Sequence, residues 1–170
     1  MDAITMLQTR RSCKKYGPGQ ISEEDLNTIL SCGLNAPSAG NRQDPVIIVI
    51  RDKETIDDLA RLNAAVMGKT GIDPFYGATT LCLIVTNTQE AYGTKDGALV
   101  IGAMQDAAFA LGVGSAWIDR CTEMLASEEG RKYLEKWGMT GYYGVGCCVL
   151  GVPAAEPNPK EIKEGRIVRV

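Results

Sequence analysis

Histidine is absent from the 170-residue sequence, and this absence excludes more chemistry than any other feature of the composition. A Ser-His-Asp or Cys-His catalytic arrangement is impossible, and a histidine-ligated metal site is excluded. No side chain of another type has an ordinary pKa near neutrality, where histidine commonly serves as an acid or a base. If the protein is an enzyme, we therefore expect a cofactor to carry its reaction.

Long apolar runs are also missing, and the basic residues are scattered apart from one cluster between Arg10 and Lys15. No stretch approaches the 18 or more apolar residues of a membrane span, and the first residues lack the basic and apolar segments of a secretion signal. The net charge is −3, from 18 basic and 21 acidic residues, which does not suit a surface that coats nucleic acid. We therefore expect a cytoplasmic protein with neither a membrane nor a nucleic-acid partner.

The cysteines show none of the close paired spacings of a metal-binding motif. For a chain of this length we expect one domain with one compact core, and the cysteine spacing does not favour a secreted disulfide scaffold. We expect reduced, buried thiols and no metal site, because free cysteine is among the most buried residue types. The six cysteines lie mostly in apolar runs: Cys13, Cys32, Cys82, Cys121, Cys147 and Cys148.

The hydrophobic pattern predicts a protein of mixed helices and strands. Val46–Ile50 indicates a fully buried strand, and Thr79–Thr86 and Tyr143–Val152 indicate two more. Residues Asp96–Leu111 are apolar on nearly every side, which predicts a helix that protein encloses all round. The order of elements favours an α+β or α/β fold with a sheet covered on both faces. Further helices are predicted after the cap residues Asp2, Ser22 and Asp52 and over Ser127–Trp137, and a terminal strand over Ile167–Val170.

The last part of the chain differs from the rest. Seventeen residues follow Pro153, seven of them charged, and they cannot form a core of their own. Apolar and basic residues nevertheless alternate at the very end, which favours a segment that completes a sheet elsewhere, including one in a partner chain. We therefore divide the chain into a folded domain, residues 1–152, and a carboxyl-terminal extension, residues 153–170.

A basic run near the amino terminus is the clearest candidate for binding an anion. Arg10, Arg11, Ser12 and Lys14 place two guanidinium groups, a hydroxyl and an ammonium within five residues, where a predicted helix enters a loop. The planar fork of arginine matches phosphate oxygens, and lysine adds a compact positive charge. A solvated basic turn is the alternative interpretation, because charged runs commonly lie on the surface.

Five segments, this run among them, resemble the flavin-dependent nitroreductase family in order and spacing. The resemblance implies a short, single-domain member with an FMN-binding α+β fold, in which helices flank a central, mostly antiparallel sheet. It further implies an intertwined homodimer with two shared flavin sites, in which residues 153–170 pack on the partner subunit. The five segments are Arg-Arg-Ser-Cys-Lys-Lys-Tyr at 10–16, Ala36–Gln43, Phe75–Ala78, Leu111–Ile118 and Gly144–Gly151.

The resemblance assigns the basic run to the cofactor. It implies that Arg10 and Ser12 contact the phosphate of FMN, that Arg11 contacts the cofactor backbone, and that Lys14 lies near the ribityl chain and the N1/O2 edge of the ring. Hydride arriving at flavin N5 leaves negative charge on N1 and O2. A cation at this edge would therefore stabilise the reduced, anionic flavin.

Other cofactor contacts are implied in three further regions. A loop that covers the flavin of the second subunit contains Pro37, Ser38, Ala39 and Asn41, and Asn63 reaches the pyrimidine portion of the ring. Backbone amides that meet N5, and side chains that back the ring, come from Trp117, Ile118, Asp119 and Arg120. In the tail, Lys163 and Arg166 stand in for a basic pair that many relatives carry.

Two adjacent aromatic residues, Phe75 and Tyr76, are candidates to stack on an electron-poor substrate, with core packing as the alternative. Together with Lys14 they are the candidate catalytic residues, while the flavin carries the chemistry. Few residues separate Asn63 from Tyr76, which leaves little room for a lid and predicts an open pocket.

The resemblance implies an FMN-dependent NAD(P)H oxidoreductase. NADH or NADPH reduces the flavin and departs, and a nitroaromatic, quinone or similar small aromatic acceptor then takes its place in a ping-pong cycle. One alternative is a specialised relative that acts on flavin itself or on halogenated aromatics. Another is a low-turnover flavin-binding redox sensor or carrier.

Overall fold

The computed structural model, which describes residues 2–87, 91–156 and 158–170, contains a four-stranded sheet between two layers of helices. A single 3₁₀ turn at Ala39–Asn41 precedes the first strand. The elements in chain order are α1 (Ala3–Thr9), α2 (Glu23–Leu34), β1 (Val46–Ile50), α3 (Lys53–Val66), β2 (Thr80–Thr86), α4 (Ala91–Ala110), β3 (Gly114–Ile118), α5 (Cys121–Ala126), α6 (Glu128–Lys136) and β4 (Tyr143–Gly151).

The strands are ordered β1-β2-β4-β3, and every neighbouring pair is antiparallel, which confirms the predicted antiparallel sheet. The central strand β2 is buried along its whole length. The edge strand β1 is not, since Val49 is 37% exposed, so the prediction of a fully buried strand there is wrong. An edge strand has one neighbour only, and a β-branched run cannot distinguish an edge from a centre.

Helices cover both faces of the sheet, as the sequence predicts. On one face, α2 and α4 bring Ile29 and Met104 against Cys82 and Ile84 of β2. On the other face, α3, α5 and α6 enclose a second core that includes Leu83. Period-two alternation along β2 supplies both cores from one strand, so the expectation of one compact core is wrong.

Helix α4 is enclosed on one side only within this chain. Its inner face approaches the sheet so closely that a Cβ atom at Gly97 would lie 2.9 Å from the Cγ atoms of Val145. Leu99, on its outer face, is 48% exposed. The prediction of a helix surrounded on all sides is therefore not met by a single chain, and its apolar outer face lacks cover from the described residues.

Helix caps match the sequence predictions well. The side chains of Asp2, Ser22 and Asp52 accept hydrogen bonds from the first turns of α1, α2 and α3, and Ser127 does the same for α6. Helix α5 was not predicted, because it is six residues long and begins after Arg120 without a side-chain cap. Such a short helix depends on tertiary packing and leaves little periodic signal.

The extension has no regular structure in the described residues. Residues 167–170 form no strand, so the prediction of a terminal strand is wrong for the chain by itself. Ile167, Val168 and Val170 are all exposed. An isolated segment finds no strand partner here, and its pairing with a second chain stays a prediction.

All six cysteines are free, and five are buried. Cys32 is exposed, which corrects the expectation of burial for that residue. Burial raises the pKa of the Cys82 thiol to about 12. It also raises the pKa of Cys148, and a hydrogen bond with Cys121 together with burial raises that of Cys147. These thiols stay protonated at neutral pH and are poor nucleophiles.

We predict that Gly130→Ala destabilises the fold by about 2–3 kcal/mol. A Cβ atom at Gly130 would overlap the carbonyl oxygen of Met124 and lie 2.7 Å from Cα of Leu125, both in the backbone of α5. Urea unfolding measures the loss. The control is Arg131→Ala on the same helix, an exposed position where about 0.5 kcal/mol or less is expected. Equal stability of the two variants would contradict the close approach of α5 and α6.

Candidate functional site

Backbone hydrogen bonds hold the basic run against the ends of β3 and β4. The amide of Cys13 donates to the carbonyl of Ser115 at 2.8 Å, and that of Gly17 donates to Val152 at 2.8 Å. Ala154 in turn donates to the carbonyl of Lys15 at 3.0 Å. Residues 13–17 and the start of the extension therefore meet beside the sheet and are held there by backbone bonds.

A cavity of about 380 Å³ opens beside this run. Its walls combine the basic run with the start of the extension, and they consist of Arg11, Ser12, Cys13, Lys14, Lys15, Ala155, Glu156 and Asn158. Three of these side chains are cationic, so the cavity, called the basic cavity below, has a surplus of positive charge. An anion is the ligand that such a surplus favours.

Arg11, which lines this cavity, has one hydrogen-bond donor without a partner among the described residues. Its Nη1 donates to the carbonyl oxygens of Gln8 at 3.0 Å and Arg10 at 2.7 Å, which fixes the guanidinium. Its Nε is buried and has no partner among the described residues. An unpaired buried donor is costly, and a phosphate oxygen is a partner that would satisfy it.

Arg10 points elsewhere. Its Nε forms an ion pair with Oδ1 of Asp106 on α4 at 2.9 Å, and it does not line the basic cavity. This contact gives Asp106 a cationic partner on a largely apolar stretch of α4. The contact of Arg10 with a phosphate, implied by the resemblance, stays a prediction.

A second cavity of about 370 Å³ lies on the other side of Lys14. It unites six residues that the sequence analysis proposed: Lys14, Tyr76, Trp117, Ile118, Asp119 and Arg120. Met67, Ile72, Asp73 and Pro74 complete its walls. Two aromatic side chains and the end of β3 make it suitable for a flat ring, and we call it the aromatic cavity. Lys14 lines both cavities, so one ligand could reach from one to the other.

Tyr76 reaches this cavity through an unusual turn. The carboxylate of Asp73 accepts hydrogen bonds from the amides of Phe75 at 2.8 Å and Gly77 at 2.6 Å. Tyr76 itself has a left-handed backbone, with φ of 58°, and is 38% exposed. Its ring centroid lies 5.9 Å from Nζ of Lys14. A non-glycine residue held in this conformation is typical of functional sites.

Phe75 does not have the substrate-stacking position that the sequence analysis proposed for it. It is 1% exposed and packs in the core formed with α3, α5 and α6, so it offers no surface to a substrate. The turn fixed by Asp73 directs the two adjacent aromatic side chains to opposite environments. Only Tyr76 of the pair lines the aromatic cavity.

Asn63 does not have the position at the flavin ring that the family resemblance implies. It is fully buried on α3 and does not line the aromatic cavity. Its Nδ2 donates to the carbonyl of Asp119 at 2.9 Å, and its Oδ1 accepts from Nε of Arg120 at 3.2 Å. Both ends of the amide are therefore used inside the protein, and direct contact of Asn63 with a flavin is not available.

A model of the nitroreductase family matches residues 7–151. The chain belongs to the nitroreductase family. Of its curated relatives, an NADH dehydrogenase/NAD(P)H nitroreductase of Archaeoglobus fulgidus is 32% identical over 119 residues, which make up 69% of this chain and 67% of the relative. A protein of the same description from Methanothermobacter thermautotrophicus is 25% identical over 117 residues, or 60% of its length.

Solved nitroreductase structures share the fold over nearly the whole chain. A nitroreductase of Bacteroides fragilis, crystallised with bound FMN, has a TM-score of 0.92 and 25% identity, with 100% of this chain and 99% of that chain covered. An FMN-dependent nitroreductase of Clostridium difficile has a TM-score of 0.81 and 27% identity, with coverage of 99% and 98%. The nitroreductase-like fold expected from the five segments is confirmed.

The loop implied to cover a second flavin lies outside both cavities of this nitroreductase-family chain. The amide of Ala39 donates to the carboxylate of Asp96 at 3.1 and 3.2 Å, and Oγ of Ser38 accepts from the amide of Gln43 at 3.0 Å. These bonds hold Asn41 at a left-handed φ of 55°. The loop is thus fixed at the surface, and its contact with a partner's flavin, through Pro37, Ser38, Ala39 and Asn41, stays a prediction.

The tail residues Lys163 and Arg166 are exposed, and neither forms an ion pair with the described residues. Their role at a phosphate stays a prediction. The described residues contain no group of three or more cysteine, aspartate or glutamate side chains placed to hold a metal ion. Within residues 2–87, 91–156 and 158–170, no helix is both long and apolar enough to cross a membrane.

Asp73 lines the aromatic cavity and was not predicted, and neither were the observed contacts of Asn63 and Asp106. Asp73 carried a local signal, because an aspartate two residues before a turn commonly accepts from its own backbone. The other two had none, since their partners Arg120 and Arg10 are distant in sequence and meet them only in the folded chain.

Proposed function

We propose that this member of the nitroreductase family is an FMN-dependent NAD(P)H oxidoreductase, which passes electrons in a ping-pong cycle to nitroaromatic, quinone or similar electron-poor acceptors. The observation that carries the proposal is the position of Lys14 between a basic cavity and an aromatic cavity. FMN has a phosphate at one end and a planar ring at the other. A ligand of that shape fits two such cavities joined at one cation.

The residues present suit FMN. Arg11 and Ser12 would hold the phosphate, because both residues line the basic cavity and the buried Nε of Arg11 has no partner among the described residues. Lys14 would place its ammonium beside the ring edge that becomes negative, and Trp117 and Ile118 would back the ring. When bound, FMN accepts hydride from a nicotinamide and returns electrons to an acceptor. The bound FMN of the Bacteroides fragilis structure supports this assignment.

The aromatic cavity also suits two substrates that bind in turn. Residues 67–79 form neither helix nor strand, so they build no helical lid over Tyr76. The half-exposed ring of Tyr76 is available to stack on a flat substrate. Nicotinamide and acceptor would share this one open side, which requires the first to leave before the second binds.

We also propose a homodimer with shared sites and with residues 153–170 packed on the partner. Support comes from large apolar side chains that are exposed to solvent in the single chain. They lie on α1, on the outer face of α4 and in the tail: Ile4, Leu7, Leu99, Ile162, Ile167, Val168 and Val170. An exposed apolar surface of this extent favours association. Light scattering at micromolar concentration should give twice the chain mass, whereas a flavin-loaded monomer would contradict shared sites.

The cofactor and the reaction are tested in one preparation. Mass spectrometry of the chromophore released on denaturation should identify FMN and not FAD, since the sequence has no G-x-G-x-x-G turn for a pyrophosphate. Stopped-flow mixing with NADH and with NADPH should bleach the flavin, and a nitroaromatic or quinone should restore its colour over repeated cycles. FAD, or no flavin after supplementation, would overturn the proposal. Slow bleaching without turnover would instead identify a sensor or carrier.

A further inference from the structure

Asn63 joins α3 to the wall of the aromatic cavity through hydrogen bonds to Asp119 and Arg120, the two residues that share one peptide unit. Its Nδ2 donates to the carbonyl of Asp119, which begins this unit, and its Oδ1 accepts from the side chain of Arg120, which ends it. The asparagine is fully buried, so water does not compete for either bond. The Asp119–Arg120 peptide therefore has its orientation set by a residue that never reaches the cavity.

Without the two bonds to Asn63, the Asp119–Arg120 peptide unit could rotate. Arg120 has a left-handed backbone, with φ of 68° and ψ of 15°, although it carries a side chain. Only glycine adopts this conformation at little cost, so an interaction must hold Arg120 there. The two bonds from Asn63 are the contacts in the described chain that fix the carbonyl on one side and the guanidinium on the other.

The direction of the Arg120 amide follows from peptide geometry. In a trans peptide the N–H and the C=O point in opposite directions. Since the carbonyl of Asp119 points to Asn63, the N–H of Arg120 points away from that side chain. No acceptor for this N–H is present among the described residues, and Asp119 and Arg120 both line the aromatic cavity. The two hydrogen bonds of Asn63 thus keep the N–H of Arg120 free at the wall of the aromatic cavity.

We propose that Asn63 is a positioning residue that keeps this N–H, and not the Asp119 carbonyl, available to a flavin ring. The proposal rests on the proposed function, because it needs FMN in the aromatic cavity. N5 of the oxidised ring accepts a hydrogen bond, whereas N5 of the reduced ring carries a hydrogen and donates one. A fixed N–H favours the oxidised form, and a carbonyl free to turn toward the ring favours the reduced form.

Asn63→Leu removes both bonds at nearly constant volume and without a change of charge. We expect the midpoint potential of bound FMN to become less negative, while the dissociation constant of FMN changes less than tenfold. The matched control is Asn35→Leu, which removes an exposed amide whose Nδ2 bonds only to the carbonyl of Ser31 on α2. Its potential should equal that of the unmodified protein. An unchanged potential in folded Asn63→Leu would overturn the proposal.

A second measurement does not depend on turnover. In the unmodified protein, the amide proton resonance of Arg120 should move downfield when FMN is added, because the free N–H gains an acceptor, and in Asn63→Leu this shift should be lost. If FMN binds to the unmodified protein and the Arg120 amide does not move, the proposal fails while the proposed function stands. If no FMN binds, the proposed function fails first. Asn63→Ala serves for the same measurements if the leucine variant does not fold.

Discussion

Arg11→Ala should weaken FMN binding about a hundredfold, a loss of nearly 3 kcal/mol that corresponds to a charge-assisted hydrogen bond. The expectation rests on the buried Nε that has no partner among the described residues, and on the place of Arg11 in the wall of the basic cavity. Arg10→Ala should cost less, because the Nε of Arg10 is already paired with Asp106 and the residue lies outside that cavity. Fluorescence titration of FMN with the apoprotein measures both.

Arg11→Lys separates charge from geometry in the same experiment. A lysine keeps the positive charge but lacks the fork that can bind protein carbonyls and phosphate at once, so it should recover only part of the loss. Circular dichroism must show that α1 persists in each variant, since Arg11 also bonds to the carbonyls of Gln8 and Arg10. Equal losses for Arg10→Ala and Arg11→Ala would contradict the assignment of the phosphate to Arg11.

Lys14→Met should slow reduction of the flavin by a nicotinamide at least tenfold and make its midpoint potential more negative. An ammonium at the edge of the ring attracts the charge that reduction creates, and methionine keeps the length of the side chain without that charge. Binding of the oxidised cofactor should suffer less, because the oxidised ring is neutral. Single-turnover reduction and a spectroelectrochemical titration give the two quantities.

Lys15→Met is the matched control for this second experiment. Lys15 lines the basic cavity but not the aromatic cavity, so its loss should weaken FMN binding and leave the potential unchanged. The two lysines are neighbours in sequence and carry the same charge. If both variants lose affinity to the same degree at an unchanged potential, Lys14 acts only on the phosphate and its assigned role at the ring is wrong.

Sequence alone could predict the helices and strands whose formation depends on residues close together in the chain. Asp52 caps α3 through a bond to an amide three residues away, and the strand at 80–86 contains an unbroken apolar run at 81–85. Lys14, Tyr76 and the stretch from Trp117 to Arg120 were proposed together through the family resemblance, and they do line one cavity.

The parts that failed depend on contacts distant in sequence. Nothing in the pair Phe75-Tyr76 shows which ring faces the core, because the answer depends on the turn that Asp73 fixes and on the helices packed behind it. Asn63 lies in the apolar stripe of α3, and its partners follow 56 and 57 residues later. The exposure of β1 depends on its place at the edge of the sheet.

The contacts between residues 15–17 and residues 152–154 constrain when the basic cavity can form during synthesis of the protein. The basic cavity needs both segments, and nearly the whole chain separates Lys15 from Ala154. Contacts of such high sequence separation close late, after the loop between them has collapsed. A ribosome must therefore release the chain through residue 154 before the basic cavity can form. A nascent chain should bind FMN only once residues near 158 have left the exit tunnel. Binding of FMN to stalled nascent chains of increasing length would therefore show when the basic cavity forms.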